Sequence, residues 1–369
     1  MIPVFRPSMD AQETNEVKGV LESGWIGLGP KTEEFEKALE VYLGNKHIIT
    51  TNSATAALHL ALIVAGVTEG DEVISPSLTF VSTNHVILYQ KATPVFCDVD
   101  PETLCADPKD VIKKITSKTK AIIVVHYGGH AVDMDPILMA ARKKNIMVIE
   151  DAAHALGGKY KGKMLGTIGD FGCFSFHAVK AVAMGDGGAI FTKSKKTAAM
   201  LKAYRWMGIS KDTWKRQGAK KYSWQYDVQY VGYKYHTNDI LSAIGLVQLG
   251  KLPQVMKRKW EIFNRYNKAF SRVNWLKIPV QKSYTTHALH NYCIKTEHRD
   301  ALSSYLADQK ISTTVHYEPN HFYPIYKKYA KKLPVTEKLY NEILLLPFYY
   351  GLSDQEIDYI IEKVKSFKP

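Results

Sequence analysis

The chain is short of cysteine, of long apolar runs and of acidic residues. Its four cysteines among 369 residues, Cys97, Cys105, Cys173 and Cys293, show neither the close pairing of a disulfide framework nor metal-ligand spacing. No metal site is therefore expected, and cysteine usage points to a reducing compartment. No apolar stretch approaches the roughly 20 residues that span a bilayer, and the N-terminus lacks the basic, apolar and small-residue segments of a secretion signal. The expectation is a cytoplasmic protein with no membrane partner. Internal repeats are absent, and so is low-complexity sequence beyond short lysine clusters.

Lysine and arginine outnumber aspartate and glutamate, 49 to 36, giving a formal charge of +13. Such a balance favours anionic partners, either nucleic acid or phosphorylated small molecules. The basic residues are spread over presumed helix faces, with one exception. Between Lys211 and Lys234, Lys215, Arg216, Lys220, Lys221 and Lys234 interleave with Trp214, Tyr222, Trp224, Tyr226, Tyr230 and Tyr233. That mixture can stack bases along a single strand, and it equally suits a nucleotide-diphosphate pocket. Because the rest of the chain has the pattern of a catalytic α/β domain, no nucleic-acid partner is expected.

A hydrophobic content of 46% suffices for one large domain and a smaller one, each with a core. Residues 1–30 form an irregular lead-in punctuated by Gly24, Gly27, Gly29 and Pro30. A helix is expected from about Lys31, with Phe35, Leu39 and Leu43 at helical spacing. Strand-like Ile48–Thr50 leads into Ser53-Ala54-Thr55-Ala56-Ala57-Leu58. These small residues before a helical pattern present free N–H groups, a ready phosphate site.

A strand and irregular turn over 72–80, then strands at 93–99, 121–126 and 146–150, alternate with helices near 81–90, 107–117 and 136–145. This is the pattern of a largely parallel sheet covered on both faces. A helix near 196–207 and a long polar connection over 208–231 follow, then two helices, about Thr237–Leu249 and Leu252–Arg272. From Asn274 onward come short elements at 292–295, 299–309, 313–317, 337–341 and 354–365. The expected architecture is α/β: a large domain over residues 1–250, with a mostly parallel mixed sheet between helices. Residues 251–369 supply a long connecting helix and a smaller α+β domain.

Two motifs carry chemistry. In Phe174-Ser175-Phe176-His177-Ala178-Val179-Lys180, followed by Gly185, Gly187 and Gly188, one lysine sits among small and apolar residues. Desolvation lowers an amine's pKa and makes it a nucleophile toward carbonyls. The demands of pyridoxal phosphate (PLP) explain the neighbours: a lysine for a Schiff base, a Ser175 hydroxyl for the phosphate, and three glycines that allow turns bringing backbone near a flat ring. In Val148-Ile149-Glu150-Asp151-Ala152-Ala153-His154, an apolar strand ends in an aspartate. Open α/β sheets place ligand-contacting groups there, and a carboxylate at that point can keep the pyridine nitrogen protonated. Phe80, just after a strand, is placed to stack on the ring.

With these residues in view, the sequence resembles the DegT/StrS family of nucleotide-sugar aminotransferases, PLP enzymes of the aspartate-aminotransferase fold type. The resemblance covers essentially the whole chain. It runs through Ser23-Gly24-Trp25, Gly29-Pro30, Ser53 to Leu58, Gly70-Asp71-Glu72-Val73-Ile74, Pro76-Ser77, Thr79-Phe80, Glu150-Asp151-Ala152-Ala153, the lysine motif with Gly185-Asp186-Gly187-Gly188, Gly232-Tyr233-Lys234-Tyr235, and His316-Tyr317, Pro319 and His321.

The resemblance implies that Lys180 forms the aldimine and later shuttles a proton, while Asp151 pairs with the pyridine nitrogen and Phe80 stacks on the ring. It places His154 near the cofactor hydroxyl and assigns the phosphate to Ala54, Thr55 and Ser175. It also implies a homodimer with shared active sites, in which Lys234 approaches the neighbouring subunit's phosphate. His177 and His321 are expected to face substrate. Three positions depart from the family's usual residues: His154 replaces glutamine, Asp186 replaces glutamate, and His236 replaces arginine or asparagine. The implied reaction moves an amino group from L-glutamate to a nucleoside-diphosphate-linked 4-keto-6-deoxy sugar, through pyridoxamine phosphate, for polysaccharide or glycoconjugate synthesis. The His316 to His321 pattern leans toward amination at sugar carbon 4. Amination at carbon 3, sugar dehydration and a non-catalytic PLP-binding regulator are the alternatives. The presence of Lys180 favours transamination over dehydration.

Overall fold

A computed structural model of the chain describes residues 1–209 and 226–369. The first 160 residues supply helices α1 (Ala11–Ser23), α2 (Pro30–Leu43), α3 (Ala54–Val64), α4 (Ser82–Tyr89), α5 (Pro108–Lys113) and α6 (Met134–Lys144). Between and after these lie strands β1 (Ile48–Thr51), β2 (Glu72–Pro76), β3 (Thr93–Cys97), β4 (Thr119–Val125), β5 (Met147–Asp151) and β6 (Lys159–Tyr160). Strands β7 (Lys163–Met164), β8 (Phe171–Ser175) and β9 (Gly188–Thr192) follow, then helices α7 (Lys195–Arg205) and α8 (Asp239–Phe270).

Seven strands form one sheet in the order β1-β9-β8-β5-β4-β2-β3. Neighbours from β3 through β8 run parallel, and β9 is antiparallel to both β8 and β1. Residues along a strand alternate between faces. In β4, Ile122 and Val124 join a core with Phe35, Leu39 and Leu43 of α2, Ile137 of α6 and Leu252 of α8. Ala121 and Ile123 face a second core with Leu58 and Leu62 of α3, Val86 of α4 and Leu201 of α7. Burial on both faces explains why the strands are near-continuous apolar runs. The expected sheet is thus present, and its parallel strands all end on one edge.

A third core lies beyond. Strands β10 (Thr285–Thr286), β11 (Tyr292–Lys295) and β12 (Ile343–Leu346) interleave with α9 (Arg299–Asp308), α10 (Pro334–Glu342) and α11 (Asp354–Ser366). β11 pairs antiparallel with β12, while β10 joins β6 and β7 in a small separate sheet. Ile262, Tyr266 and Phe270 of α8 pack there against Ile294, Leu302, Leu344 and Ile360. The chain's first residues return to this core: Ile2 bridges Ile311, and the Phe348 N–H donates to the Val4 carbonyl at 3.1 Å.

Three expectations are corrected. The lead-in is not irregular throughout, because residues 11–23 are helical. Asp10 caps that helix by accepting the Gln12 N–H at 2.8 Å, and Glu13 accepts the Asp10 N–H at 2.8 Å. This reciprocal box supplies local stability that weak apolar periodicity does not advertise. The two helices expected at 237–249 and 252–272 are one, α8, 32 residues long with Pro253 inside. Leu249, Leu252 and Val255 are buried on both sides of the proline, so packing outweighs the backbone hydrogen bond lost there. Residues 313–317 make no strand but a single bridge, Thr314 to Leu345. The basic and aromatic stretch falls mostly within 210–225, outside the described residues.

Candidate active site

Each chemical motif sits where a strand or helix ends. Asp151 is the last residue of β5 and Ser175 the last of β8; Phe80 lies in the turn after β2, and Lys180 in the connection from β8 to β9. Together with Ala54 and Thr55 of α3's first turn, they line one cavity of about 350 Å³, shared with His154, His177, Asp186, His290, His316 and Tyr317. The parallel-sheet edge thus converges side chains as far apart in sequence as Ala54 and Tyr317.

Lys180 is half-buried, and its N–H donates to the His177 carbonyl at 2.8 Å. Burial pulls its ammonium down to about 8, against the opposing pull of Asp151. Roughly a tenth is therefore the free amine at pH 7, the nucleophilic form. Asp151 is 5% exposed. Burial raises its carboxyl above the usual range, opposed by hydrogen bonds from the Thr83 hydroxyl and the Ala153 N–H. Lys180 and Asp151 are thus a desolvated amine and a desolvated carboxyl on one cavity wall, each moderating the other.

The α3 end of the cavity is built from backbone. Ser53 caps α3, accepting the Ala56 N–H at 3.1 Å, and the first-turn N–H groups of Ala54 and Thr55 have no intrahelical acceptor. Gly188 of β9 lies directly beneath. The sequence pattern assigned the three glycines to turns, and Gly185 does take a left-handed φ of 91°. Gly188 instead serves close packing, because a Cβ there would lie 2.6 Å from the Ala54 nitrogen.

At the opposite end the wall is aromatic. Phe80 is 55% exposed and its ring centroid lies 5.8 Å from that of Tyr317. His154 stacks on His290 at 4.0 Å. Its Nδ1 accepts the Gly128 N–H at 3.3 Å, which leaves Nε2 to donate to the Tyr317 hydroxyl at 3.2 Å. Burial holds His154 and His290 well below the ordinary imidazole range and His316 at about 4, so all three are neutral. Two of their nitrogens, His290 Nε2 and His316 Nδ1, are buried with no hydrogen-bond partner among the described residues.

Two candidate residues are not brought to this cavity. His321 is buried elsewhere: its ring Nδ1 and its backbone N–H both bond the Ser77 hydroxyl, at 2.7 and 3.0 Å, and its Nε2 lies 3.5 Å from Glu337. It holds the turn that precedes Phe80 and does not line this cavity. Lys234 is exposed, with its Nζ 5.2 Å from the centre of the Trp206 ring. His177 stands at the cavity rim. Sequence reasoning left Thr83 and His290 without a role, and neither sits in a recognisable motif. Tyr317 and His316 lay in a quoted motif that could have flagged them.

A profile of the DegT/DnrJ/EryC1/StrS aminotransferase family matches residues 7–365. The chain belongs to this family. The spore coat polysaccharide biosynthesis protein SpsC of Bacillus subtilis (strain 168) is 39% identical over 375 residues, covering 99% of this chain and 96% of SpsC. The sugar aminotransferase CalS13 from Micromonospora echinospora superposes with a TM-score of 0.92 at 30% identity, covering 100% of both chains. Spr1654 from Streptococcus pneumoniae, in its pyridoxamine phosphate form, superposes with a TM-score of 0.93 at 33% identity over 99% of this chain and 98% of its own. The PLP form of Spr1654 has a TM-score of 0.91 at 32% identity, covering 100% of both chains.

As a DegT/StrS aminotransferase, the chain is a PLP-dependent enzyme. The residues present fit that cofactor. A desolvated amine, a buried carboxyl, an exposed ring and a glycine-cradled helix N-terminus are gathered on one cavity. No helix among the described residues is long and apolar enough to cross a membrane.

Proposed function

We propose that this enzyme transfers the amino group of L-glutamate to a nucleoside-diphosphate-linked 4-keto-6-deoxy sugar, aminating carbon 4, in polysaccharide or glycoconjugate synthesis. The observation that carries the reading is the placement of Lys180 and Asp151 on one cavity beside Phe80 and the N-terminus of α3. The net charge of +13 suits a phosphorylated cofactor and an anionic substrate. The similarity to SpsC, a spore coat polysaccharide biosynthesis protein, and to CalS13, a sugar aminotransferase, supports the substrate class.

Pyridoxal phosphate, when bound, supplies a carbonyl for the amine and a ring that withdraws electrons from the carbon losing its proton. The chain's own groups do the rest. Lys180 would hold the cofactor through its amine and would move a proton at the substrate's reacting carbon; such acid–base work contributes on the order of 100-fold or more. Asp151 would face the ring nitrogen and favour its protonated form. Ala54 and Thr55 N–H groups and the Ser175 hydroxyl hold phosphate, and the exposed face of Phe80 packs on the ring. His154, fixed as the Nε2–H tautomer, stands with Tyr317 at the cavity's far end, and His177 meets substrate at its rim.

The working unit in this reading is a homodimer in the cytoplasm, with Lys234 lent to the neighbouring subunit's phosphate. Its exposure on this chain is what such a loan requires.

The test is a reconstitution. Enzyme with PLP and L-glutamate is offered UDP-, GDP- and dTDP-linked 4-keto-6-deoxy sugars, and products are analysed by NMR and mass spectrometry. One sugar is expected to gain nitrogen at carbon 4. Amination at carbon 3, or an unaminated dehydrated product, overturns the carbon-4 reading; consumption of glutamate with no sugar product overturns the substrate class.

A further inference from the structure

Asp151 is held by a side chain that no motif announces. Its Oδ2 accepts the Thr83 hydroxyl at 2.8 Å, and its Oδ1 accepts the Ala153 N–H at 3.1 Å. Thr83 is 0% exposed, and its Oγ1 lies 2.9 Å from the Thr79 Oγ1. A hydroxyl has one proton to give. Since an ionised carboxylate can only accept, Thr83 donates to Asp151, and Thr79 must then donate to Thr83. The chain of donors therefore has one direction, Thr79 to Thr83 to Asp151.

Its outer end is fixed as well. The Thr79 carbonyl accepts the Asn320 side-chain amide at 3.0 Å, and the Thr83 N–H donates to the Phe80 carbonyl at 3.2 Å. A threonine in a helix's first turn commonly spends its hydroxyl on nearby backbone. In α4 no side-chain cap forms, and the Thr83 hydroxyl instead reaches a carboxylate 68 residues away in sequence.

We propose that Thr83, backed by Thr79, is a positioning residue that keeps Asp151 ionised and aimed, so that the proton shared with the cofactor's ring nitrogen stays on the nitrogen. The same turn carries Phe80, so ring stacking and ring protonation are set by one structural unit. A buried carboxylate that loses a donor becomes more basic. Without the Thr83 hydroxyl, the shared proton moves toward Asp151.

The proposal rests on Asp151 being the ring-nitrogen partner, and one experiment separates the two. Apo-protein is titrated with ¹⁵N-labelled pyridoxal phosphate, reading cofactor affinity by fluorescence and the ring-nitrogen resonance by NMR, for wild type, Thr83→Val, Thr83→Ser, Thr79→Val and Asp151→Asn. Thr83→Val is expected to weaken affinity about tenfold, the worth of one hydrogen bond to a charged group, and to move the resonance toward the unprotonated position. Thr83→Ser restores both to within about threefold of wild type on the same scale. Thr79→Val moves both readouts the same way by about threefold, and it carries the test if Thr83→Val does not fold. An unmoved resonance in the valine variants that fold, with Asp151→Asn shifted, overturns this proposal alone. An unmoved resonance in Asp151→Asn overturns the reading of Asp151 and this proposal with it.

Discussion

Gly188 packs beneath the N-terminus of α3 so closely that a Cβ on it would stand 2.4 Å from the carbonyl carbon of Ser53. The neighbour is backbone, and it is the backbone that presents the Ala54 and Thr55 N–H groups to the cavity. Gly188→Ala must therefore push the helix end away, at a packing cost of about 1–3 kcal/mol. Cofactor affinity in a fluorescence titration is expected to fall by roughly tenfold or more, with a smaller loss in melting temperature. Wild-type affinity would show that α3 does not hold the phosphate.

The amine of Lys180 sets a second expectation. Burial brings it to about 8, and only the neutral amine attacks a carbonyl. The rate of covalent PLP capture by the apo-enzyme should climb with pH and level off above a midpoint near 8. Lys180→Ala should abolish capture and transamination together. A stopped-flow absorbance profile checks the midpoint; a flat profile from pH 6 to 9, roughly one to two units either side of it, would count against a desolvated amine.

Lys259 is the less expected lysine. It is 5% exposed, its Nζ donates to the Leu289 carbonyl at 3.0 Å, and burial, with Lys180 nearby, lowers it to about 8. Because the folded pKa lies below the unfolded one, the unfolded chain binds more protons between the two values, and stability rises with pH across that window. The penalty is complete below about pH 8, on the order of 3 kcal/mol, and fades toward pH 10.5. Lys259→Met removes it and forfeits one hydrogen bond of about 1 kcal/mol. Denaturant unfolding at pH 7 should show the variant stabler by about 2 kcal/mol, with the advantage shrinking at pH 10. A destabilised variant at pH 7 would be the contrary outcome.

Glu36 and Arg205 make the opposite case. Arg205 Nη1 lies 2.5 Å from Glu36 Oε1 and 2.8 Å from the Thr50 carbonyl, and Glu36 also accepts the Thr50 N–H at 2.9 Å. Burial works to raise the Glu36 carboxyl, but Arg205 and Lys202 outweigh it and hold it low. The pair's contribution is therefore present in full above the unfolded carboxylate range and is lost as pH falls from there through the lower folded value. Arg205→Met strands a buried carboxylate and should cost about 3–5 kcal/mol at pH 7. The loss should narrow toward pH 4 as Glu36 takes up a proton, which paired denaturation curves would reveal.

Much of this was legible from the sequence because two kinds of signal are local. The apolar runs of β2, β4 and β5 fit strands buried on both faces, and Asp151 follows a strand end that the pattern marks, whereas Ser175 and Lys180 are legible from their residue motif alone, the strands on either side of it carrying no such signal. What stayed hidden depends on distance. The Thr83 hydroxyl acts across 68 residues, and Lys259 comes close enough to feel Lys180 from the middle of a helix whose face only packing defines. His321 shares a motif with His316 and Tyr317, yet a short helical turn over Asn320–Phe322 carries it to Ser77. Adjacency along the chain did not translate into a shared wall. The helix at 11–23 was missed because its start depends on hydrogen bonds between Asp10 and Glu13, not on apolar spacing.

The 32-residue helix α8 has a consequence for how the molecule comes apart. Its first residue, Asp239, accepts the Gly29 and Thr32 N–H groups at 2.9 Å and so caps α2 from a distance. Its middle lends Leu249 and Leu252 to the sheet's core, and its last turns lend Tyr266 and Phe270 to the C-terminal core. Melting either core strips one half of a rod that the other still grips. Helix formation is cooperative along such a rod, so the two cores are expected to melt together, and a cut near residue 250 should leave each fragment with an unpaired apolar stripe.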